Sequence, residues 1–269
     1  MSEAIRIDGL TKSYGNHTVL RGLTFHVAKG ETCALLGVNG AGKTTALECI
    51  EGIRKPDSGK VMLNGTTGIQ LQSASLPAHI KPMEAIRLFA KWKHAKANPS
   101  MLAALGISDF QKKQYAHLST GQKRRLHLAL ALIGDPDILF LDEPTAGLDV
   151  ESRASLHRQL RALKAQGKTI VFASHDMAEV ESLCDHIAIL KEGRLVFWGN
   201  AAQAVAKLGN RYHIHIQTAS GDLSLNAVNI GETLLAALED LKQKNIAVED
   251  IKIGRGSLEE LFLYIAEEG

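Results

Sequence analysis

The sequence predicts an α/β protein with a mostly parallel central sheet, and three observations carry that prediction. Short apolar runs occur at 32–37 (TCALLG), 137–141 (DILFL) and 168–173 (KTIVFA), and such runs are typical of strands buried on both faces. Segments with helical character separate them along the chain, as in a parallel sheet covered by helices. Hydrophobic residues are 45% and charged residues 22% of the chain, which is ordinary for a globular domain.

The N-terminal part predicts a different kind of sheet. Residues 4–14 and 19–31 alternate apolar and polar side chains, which indicates antiparallel strands with one face in water. A turn signal, PDSG at 56–59, is followed by another strand-like segment at 60–65. We therefore expect a small antiparallel β subdomain beside the parallel core.

A helical block is predicted at about residues 73–134. Its first helix is MEAIRLFAKWKHA, its second is PSMLAALGI with Ser100 as the candidate cap, and its third is GQKRRLHLALALIGD. Because strands precede and follow this stretch, the block is an insertion into the α/β chain.

Beyond the block, a strand, the helix VESRASLHRQLRALKAQG and a further strand–helix pair complete the α/β pattern. Two strands joined at Glu192–Gly193 predict a hairpin. The composition changes near Lys207. We therefore expect one domain over residues 1–210 and a small strand-and-helix accessory domain over 211–269.

Composition excludes several function classes. The formal net charge of +2 gives no whole-chain electrostatic argument for nucleic acid or an anionic membrane. The longest apolar stretches fall well short of a membrane span, and the first residues do not resemble a secretory signal. Cys33, Cys49 and Cys184 fit neither metal-ligand nor disulfide spacing, which favours reduced thiols in a cytosolic protein.

The clearest chemical motif is GVNGAGKTT, which fits the phosphate-loop pattern G-x-x-x-x-G-K-[ST] over Gly37–Thr44. A buried strand precedes it and a helix follows, so backbone N–H groups and the helix N-terminus would surround phosphate oxygens. Lys43 would reach the β- and γ-phosphates, and Thr44 would hold Mg²⁺. The motif predicts ATP or a related nucleotide as ligand.

Asp142 and Glu143 form the second motif, directly after the apolar strand DILFL. Ligands bind at the carboxyl edge of open α/β sheets, where these neighbouring carboxylates would lie. Asp142 is the candidate Mg²⁺ carboxylate and Glu143 the candidate base for an attacking water. The alternative is a strand end with two solvated acids.

Five other residues carry weaker signals. His175 follows the strand TIVFAS, where it would contact a γ-phosphate, and Gln72 lies where the chain leaves the sheet for the helical block. Tyr14 would either stack on adenine or pack in a turn. His213 and His215 alternate in a predicted strand, which leaves a metal pair open, although no third ligand is evident.

In order, GVNGAGKTT, LQ, LSTGQKRRL, ILFLDEPTAGLD and ASHD resemble the nucleotide-binding domain of ATP-binding cassette (ABC) proteins, over about residues 3–210. The resemblance implies a P-loop cassette with a mostly parallel core sheet, an antiparallel β subdomain, an inserted helical subdomain and a small α+β appendage. Segments such as SHDMAEVESLCDHIAILKEGRLVFWG and SLEELFLYIAEE also resemble the ATPase subunits of bacterial type-2 exporters.

The resemblance implies a role for each matching residue. Glu143, His175 and Gln72 would be catalytic. Mg²⁺ would be bound by Thr44, Gln72 and Asp142. ATP contacts fall to Tyr14 and to Gly37, Val38, Asn39, Gly40, Ala41, Gly42, Lys43, Thr44 and Thr45 of the phosphate loop. Ser119, Gly121, Gln122 and Asp149 would act on ATP held by a second cassette.

Three departures from the family pattern stand out. Thr120 replaces the commoner Gly of the signature, Val150 stands where Pro is frequent, and the path from Gly65 to Gln72 is short. The short path indicates that the first subdomain lacks part of a loop or hairpin.

The expected function is an ATP hydrolase that dimerises with itself or a homologous ATPase and drives a separate transmembrane permease. Such a subunit would be cytoplasmic and peripheral on the inner face of a cell membrane, with no nucleic-acid partner. The alternatives are a soluble cassette ATPase acting on nucleic acid or ribosomes, and a degenerate cassette that binds ATP without cleaving it. The absence of sustained heptads disfavours the first alternative, and Glu143, His175 and Gln72 disfavour the second.

The stretch LSTGQKRRL raises a separate question, because it is a second helix start suited to an anion. Ser119 would cap the helix, and the hydroxyl, the backbone N–H groups and the helix dipole together would form a γ-phosphate site. Lys123, Arg124 and Arg125 either approach an anion or form a solvated basic face. By resemblance, the phosphate at this start belongs to the ATP of a partner chain.

Overall fold

The computed structural model describes residues 2–70, 75–207, 212–255, 258–259 and 261–262. The chain divides into two compact units, Met1–Trp198 and Gly199–Gly269. Within the described ranges, no helix has both the length and the apolarity needed to cross a bilayer.

An antiparallel sheet opens the first unit, as predicted. Strand β1 (Glu3–Tyr14) lies between β2 (His17–Ala28) and β4 (Ser58–Leu63), with Ile5 opposite both Val27 and Leu63. Ile5 and Ile7 of β1 are buried while Arg6 between them is exposed, so this part of the sheet has one core face and one wetter face.

The main sheet has six strands in the order β5-β6-β7-β3-β8-β9. These are β3 (Thr32–Leu36), β5 (Thr67–Gln70), β6 (Ile138–Asp142), β7 (Thr169–Ala173), β8 (His186–Lys191) and β9 (Arg194–Gly199). The first five run parallel, and β3, β6 and β7 are buried at every position, which confirms the prediction from their apolar runs. β9 follows β8 through the two-residue turn Glu192–Gly193, where both residues have positive φ.

Helices cover the sheet and form the inserted block. The block holds α2 (Pro82–Trp92), α3 (Pro99–Ala104) and α4 (Thr120–Ala131); the core helices are α1 (Lys43–Ile50), α5 (Val150–Ala165) and α6 (Met177–Leu183). The prediction of Ser100 as the cap of α3 was wrong. Asn98 is the cap, two residues earlier than expected, and its side chain accepts hydrogen bonds from the backbone N–H groups of Ser100 and Met101. Pro99 takes the first helical position, to which its fixed φ and missing N–H are suited.

The hydrophobic core joins both sheets of the first unit. Buried side chains of β1 and β2 pack with α1 and with the strands of the main sheet. Three aromatic or large aliphatic residues illustrate its continuity, since Leu23, Leu47 and Phe140 are all fully enclosed. This shared core fixes the phosphate loop between the two sheets.

The second unit begins with α7 (Ala201–Lys207) and contains a sheet of order β11-β10-β12. Its strands are β10 (Tyr212–Thr218), β11 (Gly221–Ala227) and β12 (Val248–Arg255), and α8 (Ile230–Gln243) packs on one face. The strands are antiparallel, with Ile214 opposite Leu225 and Ile253. The composition of this segment predicted such strands and helix.

Candidate functional site

The phosphate loop connects β3 to α1 at the carboxyl edge of the main sheet. Gly42 immediately precedes α1 with φ 99° and ψ 10°, a left-handed conformation that disfavours other residues. A Cβ at Gly42 would also lie 3.0 Å from Leu20 Cδ2 and 3.2 Å from the carbonyl oxygen of Val19. In the part of the chain that the structure describes, no side chain caps this helix start, so its N–H groups can serve a ligand.

The other residues of the loop are ordered around this start. Val38, Asn39 and Gly40 form its exposed outer side, whereas Ala41 is buried beneath. Thr44 and Thr45 belong to the first turn of α1. The loop is therefore open to solvent at these three outer positions.

Lys43 lies within this loop and is largely buried. Its Nζ donates hydrogen bonds to the carbonyl oxygens of Gly37 at 2.6 Å and Val38 at 3.3 Å. Burial lowers the pKa of Lys43, and the negative charges of Glu143 and Asp142 act in the opposite direction. The ammonium group thus lies within electrostatic reach of both carboxylates.

Asp142 ends β6 and is buried. Burial raises the pKa of Asp142 and the charge of Glu143 raises it further, while a hydrogen bond from the Thr44 side chain lowers it. An Asp carboxylate and a Thr hydroxyl in contact are hard oxygen ligands of the kind that Mg²⁺ prefers. Burial and, to a lesser extent, the charge of Glu143 disfavour the ionised form of Asp142, and a bound cation would offset both effects. These two residues therefore fit a magnesium ion.

Glu143 and His175 meet at the same edge. The backbone of Glu143 has φ 46°, an uncommon value for a residue with a side chain, and its N–H donates to the carbonyl oxygen of Ala173 at 3.0 Å. His175 Nδ1 lies 3.3 Å from Glu143 Oε1, and the His175 side chain is 66% exposed while that of Glu143 is 18% exposed. Neighbouring parallel strands therefore bring the two predicted catalytic groups into contact.

The second helix start, that of α4, is closed by its own side chains. Ser119 Oγ accepts from the N–H of Gln122 at 3.2 Å, and Gln122 Oε1 accepts from the N–H of Ser119 at 3.1 Å. This capping box confirms Ser119 as the predicted cap. Gly121 lies against α5, because a Cβ there would come within 2.7 Å of Ser152 Oγ.

Asp149 has a similar capping role at the start of α5. Its carboxylate accepts from the N–H of Ser152 at 2.7 Å, and hydrogen bonds with Ser152 hold the pKa of Asp149 below its usual range. Val150 beside it is 87% exposed. Both residues are available at the surface of this chain, where the resemblance expects contact with a second cassette.

The three cations of α4 do not form a simple solvated face. All three are partly buried; Lys123 Nζ lies 5.2 Å from the centre of the Tyr115 ring, and the Arg125 guanidinium 5.1 Å from that of Phe110. Burial lowers the pKa of Arg124, opposed by the charges of Glu143 and Asp142. The sequence places Arg124 only in a run of three cations, whereas the fold brings it within electrostatic reach of Glu143 and Asp142.

Tyr14 lies at the end of β1, beside the hairpin turn to β2. Its residue is 42% exposed, and the Arg54 guanidinium lies 5.2 Å from the ring centre. An exposed ring beside the phosphate-loop subdomain keeps both readings open, adenine stacking and turn packing.

Two further predictions concern Gln72 and the histidine pair. Gln72 lies outside the described residues. In the second unit, His215 Nδ1 lies 3.2 Å from Ser224 Oγ and its Nε2 lies 3.3 Å from Asp222 Oδ2. These cross-strand contacts account for His215 without a metal.

A buried acid near the site, Glu51, was not identified from the sequence. Glu51 follows α1, and burial together with the charges of Asp142 and Glu48 raises its pKa to about 8. Within the described ranges, both of its carboxylate oxygens lack a hydrogen-bond partner. No local sequence signal distinguishes Glu51 from an exposed acid before a turn.

A buried strand, a phosphate loop with its lysine, and paired carboxylates on another strand of the same sheet define the molecule as a P-loop nucleoside-triphosphate hydrolase. A family model described as ABC transporter matches residues 20–146. The chain is 38% identical to the Nod factor export ATP-binding protein I of Paraburkholderia xenovorans, over 76% of this chain and 73% of the relative.

A second relative matches the chain over nearly its whole length. The daunorubicin resistance ATP-binding protein DrrA3 of Streptomyces coeruleorubidus is 30% identical, over 97% of this chain and 95% of the relative. The solved structure of an ATP-binding subunit of an ABC transporter superimposes with a TM-score of 0.71 at 27% identity, over 77% of this chain and 93% of that one. This chain belongs to the ABC transporter family as an ATP-binding, ATP-hydrolysing subunit.

Proposed function

We propose that the chain is the ATPase subunit of an exporter, in which two cassettes bind MgATP between them and drive a separate membrane permease. Two relatives support the direction of transport, since one is named for Nod factor export and the other for daunorubicin resistance. The protein would then work at the cytoplasmic face of a cell membrane. The contact between Glu143 and His175 beside Asp142 is the observation that carries the catalytic part of the proposal.

The proposed binding step uses the phosphate loop. Backbone N–H groups from Gly37 to Thr45 surround the phosphates of ATP, Lys43 neutralises their charge, and Tyr14 stacks on the adenine. Thr44 and Asp142 hold Mg²⁺, together with Gln72 by family resemblance. Bound Mg²⁺ would neutralise the charge that develops on the phosphate oxygens.

The proposed hydrolytic step uses the carboxyl edge of β6 and β7. Glu143 orients the attacking water and accepts its proton, because its carboxylate is partly exposed and is not committed to a metal in this scheme. His175 contacts Glu143 through Nδ1, which leaves Nε2 for the γ-phosphate. Loss of the γ-phosphate would remove one of the two contacts of His175.

The second helix start completes the neighbouring site in this proposal. Ser119, Gly121 and Gln122 would contact the γ-phosphate of the ATP that the partner chain holds, and Asp149 would cross the same interface. Ser119 is exposed at the helix start, with its cap already formed inside the chain. Its hydroxyl hydrogen therefore remains free to donate to a phosphate oxygen.

The helical block offers a surface for the permease. On α2, Leu88 is 57% and Trp92 is 72% exposed, which is unusual for large apolar side chains without a partner. Purification of the protein from native membranes should therefore recover a hydrophobic permease. Recovery of ribosomes or DNA in its place would favour the alternative of a cassette ATPase that does not act in transport.

Glu143→Gln tests the catalytic assignment. The amide cannot accept the proton of the attacking water, so steady-state hydrolysis should fall by about a hundredfold or more while ATP binding persists. The variant should accumulate as an ATP-bound dimer, measured by size-exclusion chromatography with ATP.

The matched control is Glu181→Gln, which makes the same change at an exposed position of α6. This control should hydrolyse ATP at the native rate. Native hydrolysis by Glu143→Gln would refute the assignment of Glu143 as the base.

A further inference from the structure

A buried carboxylate on α6 joins the two segments that carry the Glu143–His175 contact. The Glu179 side chain is 0% exposed. Its Oε2 accepts a hydrogen bond from Ser174 Oγ at 2.7 Å and another from Thr145 Oγ1 at 3.0 Å. Enclosing a carboxylate is costly unless hydrogen bonds compensate, so this arrangement strongly constrains both hydroxyl groups.

The positions of these two hydroxyl residues give the contact its significance. Ser174 immediately precedes His175 at the end of β7, and Thr145 follows Glu143 by two residues after β6. One carboxylate oxygen therefore bridges the exits of two neighbouring strands. The separation of His175 from Glu143, 3.3 Å between Nδ1 and Oε1, depends on the same two exits.

Backbone contacts hold Glu179 itself in place. Asp176 caps α6 through a hydrogen bond from the N–H of Glu179 to Oδ1 at 3.1 Å, and the N–H of Asp176 donates to Ser174 Oγ at 3.0 Å. Ser174 Oγ thus donates to Glu179 and accepts from Asp176. The turn between β7 and α6 is closed around His175 by its own side chains.

The helix that follows Asp149 is attached to the same turn. Arg153 Nη1 donates to Asp176 Oδ2 at 2.7 Å, and one turn later His157 Nε2 lies 3.4 Å from Glu179 Oε1, without hydrogen-bond geometry. Because Asp149 caps α5, these two contacts connect the expected dimer-interface residue to the turn that carries His175.

We propose that Glu179 is a positioning residue for ATP hydrolysis, which sets the approach of His175 to Glu143 by holding Ser174 and Thr145. The proposal rests on the proposed function, in which Glu143 is the base and His175 its partner. Glu179 itself touches no reacting atom. Its removal should lower the rate of the chemical step and leave the phosphate loop intact.

Glu179→Gln is the first test, because it preserves size and removes the charge. Hydrogen bonds to a neutral amide oxygen are weaker than those to a carboxylate, so the two strand exits should loosen. In the full-length chain we expect kcat to fall by about tenfold, since small misplacements of catalytic groups have effects of that order. The KM for ATP should remain near native, and Glu181→Gln should change neither quantity.

A double-mutant cycle with His175→Ala separates positioning from a general loss of structure. If Glu179 acts through His175 and Glu143, adding Glu179→Gln to His175→Ala should lower kcat by much less than tenfold. Two results would overturn the proposal. One is a kcat in the double variant that falls by the product of the two single effects, and the other is an unchanged kcat in Glu179→Gln. Should Glu179→Gln fail to fold, Thr145→Val removes one of the two hydrogen bonds and must still lower kcat with KM unchanged.

Different results would refute the proposed function and the positioning role of Glu179. If Glu143→Gln hydrolyses ATP normally, the proposed function is wrong whatever Glu179 does. If Glu143→Gln is inactive while Glu179→Gln matches Glu181→Gln, only the positioning role is refuted.

Discussion

The starts of α1 and α4 both face outward as candidate phosphate sites, yet they are built in opposite ways. At α1, Gly42 adopts a left-handed conformation, and within the described residues no side chain caps the helix. At α4, Ser119 and Gln122 cap each other in a closed pair of hydrogen bonds. The first start leaves its donors to a ligand, whereas the second satisfies donors within the chain.

The surroundings of the two starts differ in the same sense. The start of α1 lies beside charged groups, since Glu143 and Asp142 raise the pKa of Lys43 against the effect of its burial, and Glu143 and Lys43 act in opposite directions on the pKa of Asp142. The start of α4 is exposed at Ser119 and Thr120, and Gly121 packs on α5. The open start of α1 therefore suits its proposed role as the nucleotide cradle, and the closed start of α4 suits the proposed approach of a partner's phosphate.

The largest expected effect is at the first start. Lys43→Ala removes the ammonium group of the loop, so affinity for ATP should fall by about a hundredfold, measured by isothermal titration calorimetry. Lys55→Ala, at an exposed position beyond α1, is the control and should bind normally. Unchanged ATP affinity in Lys43→Ala would contradict the role of the α1 start as the nucleotide site, because the buried lysine would then serve only the fold.

A smaller effect is expected at the second start. Ser119→Asp keeps a good helix cap and suits the helix dipole, but it places a negative charge where the partner's phosphate would lie. Hydrolysis should fall by about tenfold or more with ATP affinity unchanged and the thermal midpoint preserved. Native hydrolysis in Ser119→Asp would mean that α4 contacts no phosphate.

The far end of α1 provides a test by pH. Since burial raises the pKa of Glu51 to about 8, the folded state binds the proton more tightly than the unfolded chain. The free energy of unfolding should therefore decrease as pH rises from 5 towards 8, by up to about 1.4 kcal/mol per pH unit. Glu51→Gln lacks this pH-dependent contribution. From pH 5 to pH 8, the free energy of unfolding of the variant should therefore rise relative to that of the native protein, as measured by urea unfolding.

The result that would contradict this prediction is a constant stability difference between the two proteins from pH 5 to pH 8. Glu181→Gln, which is exposed, should run parallel to the native protein throughout.

The smallest expected effect is that of Ser119→Ala, which distinguishes helix capping by Ser119 from contact with a phosphate. Ser119→Ala should lower the free energy of unfolding by about 1 kcal/mol, because it removes one member of the capping box. Asn98→Ala removes the cap of α3 and should cost a similar amount without affecting hydrolysis. If both variants hydrolyse ATP normally, the hydroxyl of Ser119 serves the helix alone.

Sequence reasoning was most successful where a motif and a burial pattern coincide. The fully apolar runs predicted β3, β6 and β7, and the motif at Gly37–Thr44 predicted the start of α1 at Lys43. The contact of Glu143 with His175 follows from the same logic, because parallel neighbouring strands end at one edge.

The features that sequence reasoning missed depend on tertiary packing. Glu179 resembles any acid in the first turn of a helix, and only the fold encloses it between Ser174 and Thr145. Arg124 belongs to a run of cations, and its approach to the carboxylates depends on how α4 packs. Asn98 and Ser100 are both acceptable caps in isolation, so the choice between them was decided by the conformation before Pro99.

Mixing two inactive variants tests directly whether one chain's α1 and another chain's α4 act on the same ATP, as we propose. Lys43→Ala and Ser119→Asp should each hydrolyse ATP poorly alone. A mixed dimer contains one site with an intact phosphate loop from the Ser119→Asp chain and an intact α4 start from the Lys43→Ala chain. If the two chains share each ATP, mixing should clearly restore hydrolysis. Activity no greater than the sum of the separate variants would contradict a shared site.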